Sequence, residues 1–319
     1  MVESVKGIAA PVSGINNPTL GKVLEAVVAA SREVSRSVRA GPLLPEPASP
    51  GVRNVHGELV HPLDIVGTER FVEAFASSKV VAGLVCEELD EPKFFEVTNP
   101  ASSFMCVLDP IDGSSNADIA ITIGSIVGVF PTPSQTALEG ETPFLRSGSE
   151  LIAAAYVLYG SSTVLVLATP GLVQEFTLNE ESVQFELTRP SIQIPESCQY
   201  YSVNQGYENR WNPPVRRAVG VASKNRSLRY VGSLVSDFHR NLIRGGIFLY
   251  PDDSQNPDGK IRVLYEAAVF AYIAAQAGGA SSTGTVPVLD LIPSSVHQRT
   301  PLYIGNATVV DEINEALWS

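Results

Sequence analysis

Reactive side chains are densest in the string Asp109-Pro110-Ile111-Asp112-Gly113-Ser114-Ser115-Asn116. Two carboxylates three residues apart repel each other unless a cation lies between them. Hard oxygen donors at this spacing favour Mg²⁺ or Mn²⁺ over zinc. Pro110 disfavours a helical conformation at Asp109 and holds it extended at a strand end, which puts Asp112 in the following turn. Gly113-Ser114-Ser115 then offers backbone N–H groups able to cradle a phosphate. Metal ligands running straight into a phosphate nest are what metal-assisted phosphoester hydrolysis needs. A bare Asp-x-x-Asp is usually just an Asx-rich turn; the full eight-residue string carries the metal reading.

Other carboxylates stand near apolar runs. Glu87-Glu88 ends the run Val80–Cys86. If parallel strands carry both clusters, their C-terminal ends meet, where sites in such sheets are built. One glutamate can then ligate metal while the other helps activate water. Asp90 and Glu91 follow at once, so taken alone a solvated acidic turn is the better account. Asp64, in His61-Pro62-Leu63-Asp64-Ile65-Val66, is equally an N-cap or a buried functional carboxylate. Glu266 opens a helical stretch, where a first-turn acid pairing with the helix dipole would suffice to explain it.

The elements that must hold these residues follow from periodicity. Leu20, Val23, Leu24, Val27, Val28, Val34 and Val38 have helical spacing up to Arg39. Residues 40–62 are proline-rich and read as a loop or arm. Thr68 is a candidate N-cap for a second helix carrying Phe71, Val72 and Phe75. Val80–Cys86 and Phe104–Leu108 are short apolar strands. Ile119, Ile121 and Ile123 alternate, and Val127 and Val129 continue the period of two. Residues 131–149 read as a loop, and strands at 151–159, 162–169, 174–178 and 183–188 make an antiparallel meander. Gly246–Tyr250 predicts a strand stopped by Pro251, Asn256–Gly259 a turn, and Lys260–Tyr265 the returning strand. Glu266–Ala277 predicts a helix closed by Gly278-Gly279. A soft boundary near 190–200 divides the chain into residues 1–195 and 196–319.

Composition narrows the function classes. The 319 residues are 44% hydrophobic and 18% charged, the balance of an ordinary globular protein of about two domains. No long uninterrupted apolar run predicts a membrane span. The N-terminus resembles neither a signal nor a transit peptide. Cys86, Cys106 and Cys198 form an odd, sparse set that fits a reducing compartment, and a cytoplasmic location is expected. A net charge of −12 argues against a nucleic-acid surface. Residues 201–270 carry ten Lys/Arg against six Asp/Glu, whereas 1–200 carry eleven against twenty-four. An acidic half beside a basic patch suits a metal site facing an anionic substrate.

With these residues in view, the chain resembles class 1 fructose-1,6-bisphosphatases, within the superfamily that includes inositol monophosphatases. Asp109–Asn116 is similar to the family's signature. Arg229-Tyr230-Val231-Gly232-Ser233 and Gly245–Pro251 match further blocks, as do Asn204-Gln205-Gly206-Tyr207, Lys260-Ile261-Arg262, Leu264-Tyr265-Glu266 and His297-Gln298-Arg299. The resemblance implies an α/β fold of mixed sheets, a layered α-β-α-β-α sandwich. It implies that the first domain carries most metal ligands and that the second binds the sugar. Implied metal ligands are Glu87, Asp109, the Ile111 carbonyl, Asp112 and Glu266, holding two or three Mg²⁺ ions, with Mn²⁺ a possible substitute. Glu88 and Asp64 join the water-activating set. Asp112, Gly113, Ser114 and Ser115 meet the reacting 1-phosphate. Asn204, Tyr207, Tyr230, Tyr250 and Lys260 bind the 6-phosphate and sugar, and Arg262 lies close to the metals. Arg229 matches an arginine that crosses a subunit interface, usually in a homotetramer. The implied reaction yields fructose 6-phosphate and phosphate. Sedoheptulose-1,7-bisphosphatase, alone or as a dual activity, is the near alternative. An inositol monophosphatase would need no second phosphate clamp, and a non-catalytic sensor or scaffold would predict a broken carboxylate set.

Departures from the family pattern concern regulation. Regulated members carry Thr-Gly-Glu-Leu-Thr where AMP's phosphate binds; Asn17-Pro18-Thr19-Leu20-Gly21 stands here. Ser103-Phe104 replaces a Lys-Tyr pair, and Ser149 an arginine. Glu58 stands where an aspartate is usual, and the cysteine-rich insertion of light-regulated plastid members is absent from this sequence. Micromolar AMP is therefore expected to leave phosphate release from the bisphosphate essentially unchanged in a steady-state assay; strong inhibition in that range would refute the reading.

Overall fold

Helix α1 (Pro18–Arg39) spans the stretch its apolar spacing predicts. Asn17 caps it by accepting from the Thr19 N–H at 2.9 Å, and Pro18 occupies a first-turn position that needs no donor. The computed structural model describes residues 2–9, 12–15, 17–43, 61–134 and 137–319. The expectations for Glu58 and for most of the proline-rich arm lie outside the described residues. A short ribbon pairs β1 (Val2–Glu3) with β2 (Val12–Ser13). Helix α2 (Pro62–Ser78) starts six residues before Thr68, which lies inside it. His61 and Asp64 form a capping box there, and Pro62 again fills the first turn, so the true start signal is His61-Pro62-Leu63-Asp64.

An eight-stranded sheet follows. Its strands are β3 (Val81–Cys86), β4 (Lys93–Phe94), β5 (Phe104–Asp112), β6 (Ile123–Pro131), β7 (Ala153–Tyr159), β8 (Thr163–Thr169), β9 (Leu172–Asn179) and β10 (Gln184–Arg189). Their order is β10-β9-β8-β7-β6-β5-β3-β4, with β3 and β5 parallel and the other pairs antiparallel. Strand β5 runs on through Pro110 to Asp112, so Asp112 is not in a turn as expected. Pairing with β6 is irregular between Asp109 and Asp112, where Pro110 has no N–H to donate. The predicted alternation before Ile123 fails. Residues 114–119 form a 3₁₀ turn ended by Ala120 at φ +56°, which breaks the period of two and leaves Ile119 and Ile121 exposed.

The second half holds β11 (Tyr200–Ser202), α3 (Pro213–Ser223), β12 (Ser227–Leu228), α4 (Leu234–Arg244) and β13 (Gly246–Tyr250). After β14 (Ile261–Arg262) come a π-helical turn at Val263–Ala267, α5 (Ala268–Gln276), β15 (Ala280–Ser282), β16 (Arg299–Thr300), β17 (Leu302–Gly305) and α6 (Ala307–Trp318). A five-stranded sheet has the order β12-β11-β13-β17-β15. The predicted return of Lys260–Tyr265 against Gly246–Tyr250 does not occur. β13 is flanked by β11 and β17, and only Ile261-Arg262 is extended, pairing with β16.

Side-chain alternation sorts the elements into layers. Cys106 and Leu108 of β5 face the core under α1 and α2, while Met105 and Val107 face the core filled by α4 and α5. Phe248 of β13 joins that middle core, and its neighbours Ile247 and Leu249 face α3 and α6. The molecule is thus an α-β-α-β-α sandwich, as the family resemblance implied. No helix among the described residues is long and apolar enough to cross a membrane.

Phe270 of α5 joins the middle layers, its ring 4.6 Å from that of Phe238 and 5.4 Å from that of Tyr156, centroid to centroid. All three are fully buried. Phe270→Ala is expected to cost about 3–5 kcal/mol in urea unfolding, the usual range for an aromatic cavity.

Candidate active site at the junction of the two sheets

Parallel pairing of β3 with β5 brings both N-terminal carboxylate clusters to one edge. The Glu87 N–H donates to the Leu108 carbonyl at 3.0 Å, continuing the ladder past Cys86. The expectation that Glu87-Glu88 and Asp109 meet at strand ends therefore holds. Asp109, Asp112 and Glu266 are buried, and one ligand oxygen from each lies within 4.8 Å of the others. Glu87 is also buried and adjoins Asp109, which feels its charge. Glu88 follows, half-buried and close enough to raise the Cys86 thiol, whose main cause of elevation is burial.

Glu266 comes from the other half of the molecule. The widened π-helical turn at Val263–Ala267 points it toward the β5 carboxylates, a feature often found at functional sites. Arg262 precedes it by one turn. Its N–H donates to Glu266 Oε2 at 2.6 Å, and its guanidinium lies 2.8 Å from Glu87 Oε1 and 3.9 Å from Glu266 Oε2. Arg262 thus sits among the carboxylates, as expected, and offsets part of their charge.

Each β5 carboxylate is held by a different device. Asp109 Oδ1 accepts from the Ile111 N–H at 3.0 Å. Asp112 Oδ2 accepts from the Ser233 hydroxyl at 2.7 Å and the Val235 N–H at 3.0 Å, so the first turn of α4 caps it. Gly113 is required twice over. Its φ is +77°, and a Cβ there would lie 2.8 Å from the Ser233 Cβ. Ser114 and Ser115 open the 3₁₀ turn beyond it.

Burial raises the carboxyls. Asp109 is pushed well above the usual range by desolvation and then by the charges of Glu87, Asp112 and Glu266. Asp112 is raised by burial, opposed by the Val235 and Ser233 donors. Burial pushes Glu266 up to about 8, with Arg262 opposing and Glu87 adding. Crowded, desolvated carboxylates of this kind fit a hard divalent cation, which would supply the missing positive charge.

Asp64 is buried in α2, where Oδ2 accepts from the His61 N–H at 2.8 Å. It is therefore not the N-cap, which is His61, but the buried N3 partner of that cap. His61 Nε2 lies 2.8 Å from Asp118 Oδ1, tying the start of α2 to the turn after Ser115. Gly67, on the next turn, packs on Pro110 and Ile111.

The residues expected at the sugar and second phosphate gather beside this cluster. Asn204, Tyr207 and Tyr250 line one small cavity with Trp211 and Pro251. Asn204 Oδ1 caps the turn at Gln205–Arg210 by accepting from the Gly206 N–H at 3.1 Å. Lys260 Nζ lies 5.9 Å from the Tyr207 ring centroid. Burial, followed by the charges of Tyr250, Asp237, Tyr207 and Asp112, raises Tyr230, which therefore feels groups of both clusters. Arg229 is different. It stays exposed just after β12, donating to the Leu228 carbonyl at 2.7 Å with its guanidinium 5.6 Å from the Tyr200 ring centroid.

Some positioning residues escaped the sequence reading. Asp237 is fully buried and accepts from the Val231 and Gly232 N–H groups, shaping the loop that carries Tyr230. His297 Nε2 donates to the Leu89 carbonyl at 3.1 Å, which leaves Nδ1 to accept from the Tyr265 hydroxyl at 2.9 Å. The segment after Glu88 is thereby tied to the second half. The matched blocks containing His297 and Ser233 were the available signals; nothing local marked Asp237.

The family described as fructose-1-6-bisphosphatase, N-terminal domain, matches residues 12–190, and the corresponding C-terminal domain family matches 194–318. The cytosolic fructose-1,6-bisphosphatase of Brassica napus is 42% identical over 269 residues, 82% of this chain and 79% of that protein. The Arabidopsis thaliana cytosolic enzyme is also 42% identical over 269 residues, covering 82% and 78%. Among solved structures, Leishmania major fructose-1,6-bisphosphatase in holo form superimposes with a TM-score of 0.88 at 32% identity over 95% of both chains.

A carboxyl whose pKa is higher folded than unfolded binds more protons in the native state, so stability falls as pH rises. For Glu266 that window runs from 4.5 to about 8. The metal-free protein is expected to lose melting temperature across this window, and Glu266→Gln to flatten the loss. Mg²⁺ is expected to raise the melting temperature and release protons, seen by calorimetry in buffers of different ionisation enthalpy. Asp109→Asn is expected to abolish both responses; a wild type that shows neither has no metal site here.

Proposed function

The chain belongs to the fructose-1,6-bisphosphatase family, and from that premise we propose how its residues hydrolyse the 1-phosphate of fructose 1,6-bisphosphate to fructose 6-phosphate and phosphate. The observation that carries the assignment is the convergence of Asp109, Asp112 and Glu266 beside a tyrosine-lined cavity. Glu87, Asp109, the Ile111 carbonyl, Asp112 and Glu266 would hold two or three Mg²⁺ ions, with Mn²⁺ as a substitute. Bound there, the metal supplies Lewis-acid activation of water and neutralises charge on the phosphoryl group.

The chain's own groups do the rest. Gly113, Ser114 and Ser115 orient the 1-phosphate, with Asp112 beneath it. Glu88, with Asp64, takes the proton of the attacking water, which enters in line with the departing sugar oxygen. Arg262 balances Glu87 and Glu266 so that the carboxylates keep their places. Asn204, Tyr207, Tyr230, Tyr250 and Lys260 hold the sugar and 6-phosphate, fixing the distance between the two ends. Residues 1–195 then supply most metal ligands and 196–319 the sugar site. Arg229, exposed just after the edge strand β12, is assigned to a neighbouring subunit's site in a homotetramer. The relatives' names favour fructose over the sedoheptulose alternative and support a cytosolic location.

Phosphate release with Mg²⁺, on fructose 1,6-bisphosphate and sedoheptulose 1,7-bisphosphate, tests this. Wild type is expected to cleave the fructose substrate, and Asp109→Asn to lose at least about 100-fold, more than the loss of a supporting contact would cost. No release by wild type from either substrate overturns the activity. A fully active variant overturns the site.

A further inference from the structure

Within one subunit, the second-phosphate cluster assigned above holds a single cation. A phosphate ester carries about −1.5 to −2 at neutral pH. Among the residues assigned to it above from this subunit, Lys260 is the one cation, and the chain as a whole is at −12. Yet a second cation lies on the same tyrosine. The Arg210 guanidinium stands 4.2 Å from the Tyr207 ring centroid, nearer than Lys260 Nζ at 5.9 Å.

Its position is built rather than incidental. Asn204 caps the turn at Gln205–Arg210 that carries both Tyr207 and Arg210. The Arg210 carbonyl accepts from the Ser254 N–H at 3.1 Å, pinning the residue to the turn after Tyr250 and Pro251. The next residue, Trp211, is buried and lines the cavity with Asn204, Tyr207 and Tyr250. Among the described residues, the Arg210 guanidinium makes no salt bridge and no hydrogen bond. The nearby Asp253 feels the Arg210 charge but takes its hydrogen bonds from the backbone N–H groups of Gln255 and Asn256 and from the Asn256 side chain. A half-buried guanidinium stacked on a tyrosine keeps its N–H edge for an anion, because stacking uses only its face.

We propose that Arg210 is a further binding residue for the substrate's 6-phosphate, one that works with Lys260 across Tyr207. The proposal rests on the bisphosphatase reading above, and its test separates the two. Arg210→Met keeps an apolar stem over Tyr207 and removes the charge; Arg210→Lys restores it.

Calorimetric binding of fructose 6-phosphate reads the clamp without catalysis. Arg210→Met is expected to weaken it about tenfold, roughly 1.4 kcal/mol, and Arg210→Lys to recover most of that. In steady state, KM for fructose 1,6-bisphosphate should rise about as much, with kcat within about twofold. Activity on fructose 1-phosphate, which lacks the 6-phosphate, should be unchanged. If Arg210→Met lowers the melting temperature, Arg210→Gln replaces it in the same comparison. Unchanged fructose 6-phosphate affinity, or an equal loss on fructose 1-phosphate, overturns the proposal. A wild type that binds fructose 6-phosphate but releases no phosphate overturns the activity while leaving the Arg210 comparison decisive.

Discussion

Mutual repulsion among buried carboxylates is the constraint on which this architecture turns. Asp109, Asp112 and Glu266 share one desolvated point, with Glu87 beside them. Such a cluster costs several kcal/mol per charge unless each charge is paired, protonated or bridged by a cation. Arg262 answers Glu87 and Glu266, and the first turn of α4 answers Asp112. What stays uncompensated is expressed as raised proton affinity at Asp109 and Glu266. The same crowding of buried carboxylates that raises their proton affinity suits a divalent ion.

That constraint explains local features which otherwise look like irregularities. Pro110 interrupts the pairing of β5 with β6 between Asp109 and Asp112. The π-helical turn spends helical regularity to aim Glu266. Gly113 adopts a left-handed conformation with no room for a Cβ against Ser233. Each departs from ideal geometry close to the carboxylate cluster, where the surrounding layers hold it in place.

The two sheets divide the labour. The first supplies the end of β5 and the segment after β3. The second supplies Glu266, the loop shaped by Asp237, and the turn bearing Tyr207 and Arg210. Tyr230 feels both Asp112 of the metal-type cluster and Tyr250 of the tyrosine cavity. A substrate with phosphates at both ends fits that arrangement better than a monophosphate, because only a bisphosphate uses both poles. The His297 contact to Leu89 and the Ser233 contact to Asp112 cross the same junction. The site is thus also part of what holds the halves together.

Much of this was legible in the chain itself. The period of α1, the apolar runs of β3 and β5 and the meander β7–β10 are local signals, because strand and helix periodicities depend on neighbours in sequence. The acidic string Asp109–Asn116 was readable for the same reason: its chemistry lies within eight consecutive residues. The start of α2 was misjudged at Thr68 because histidine is an uncommon cap. The return of Lys260–Tyr265 failed because β17, some fifty residues on, takes the edge of β13. Which carboxylates share a metal-type site, that Ser233 and Val235 cap Asp112, and that Arg210 stacks on Tyr207 are matters of long-range packing. Residue types determined what chemistry was possible; only the meeting of the two sheets decided which groups lie close enough to perform it, since Coulomb and hydrogen-bond energies depend on distances that sequence separation does not encode.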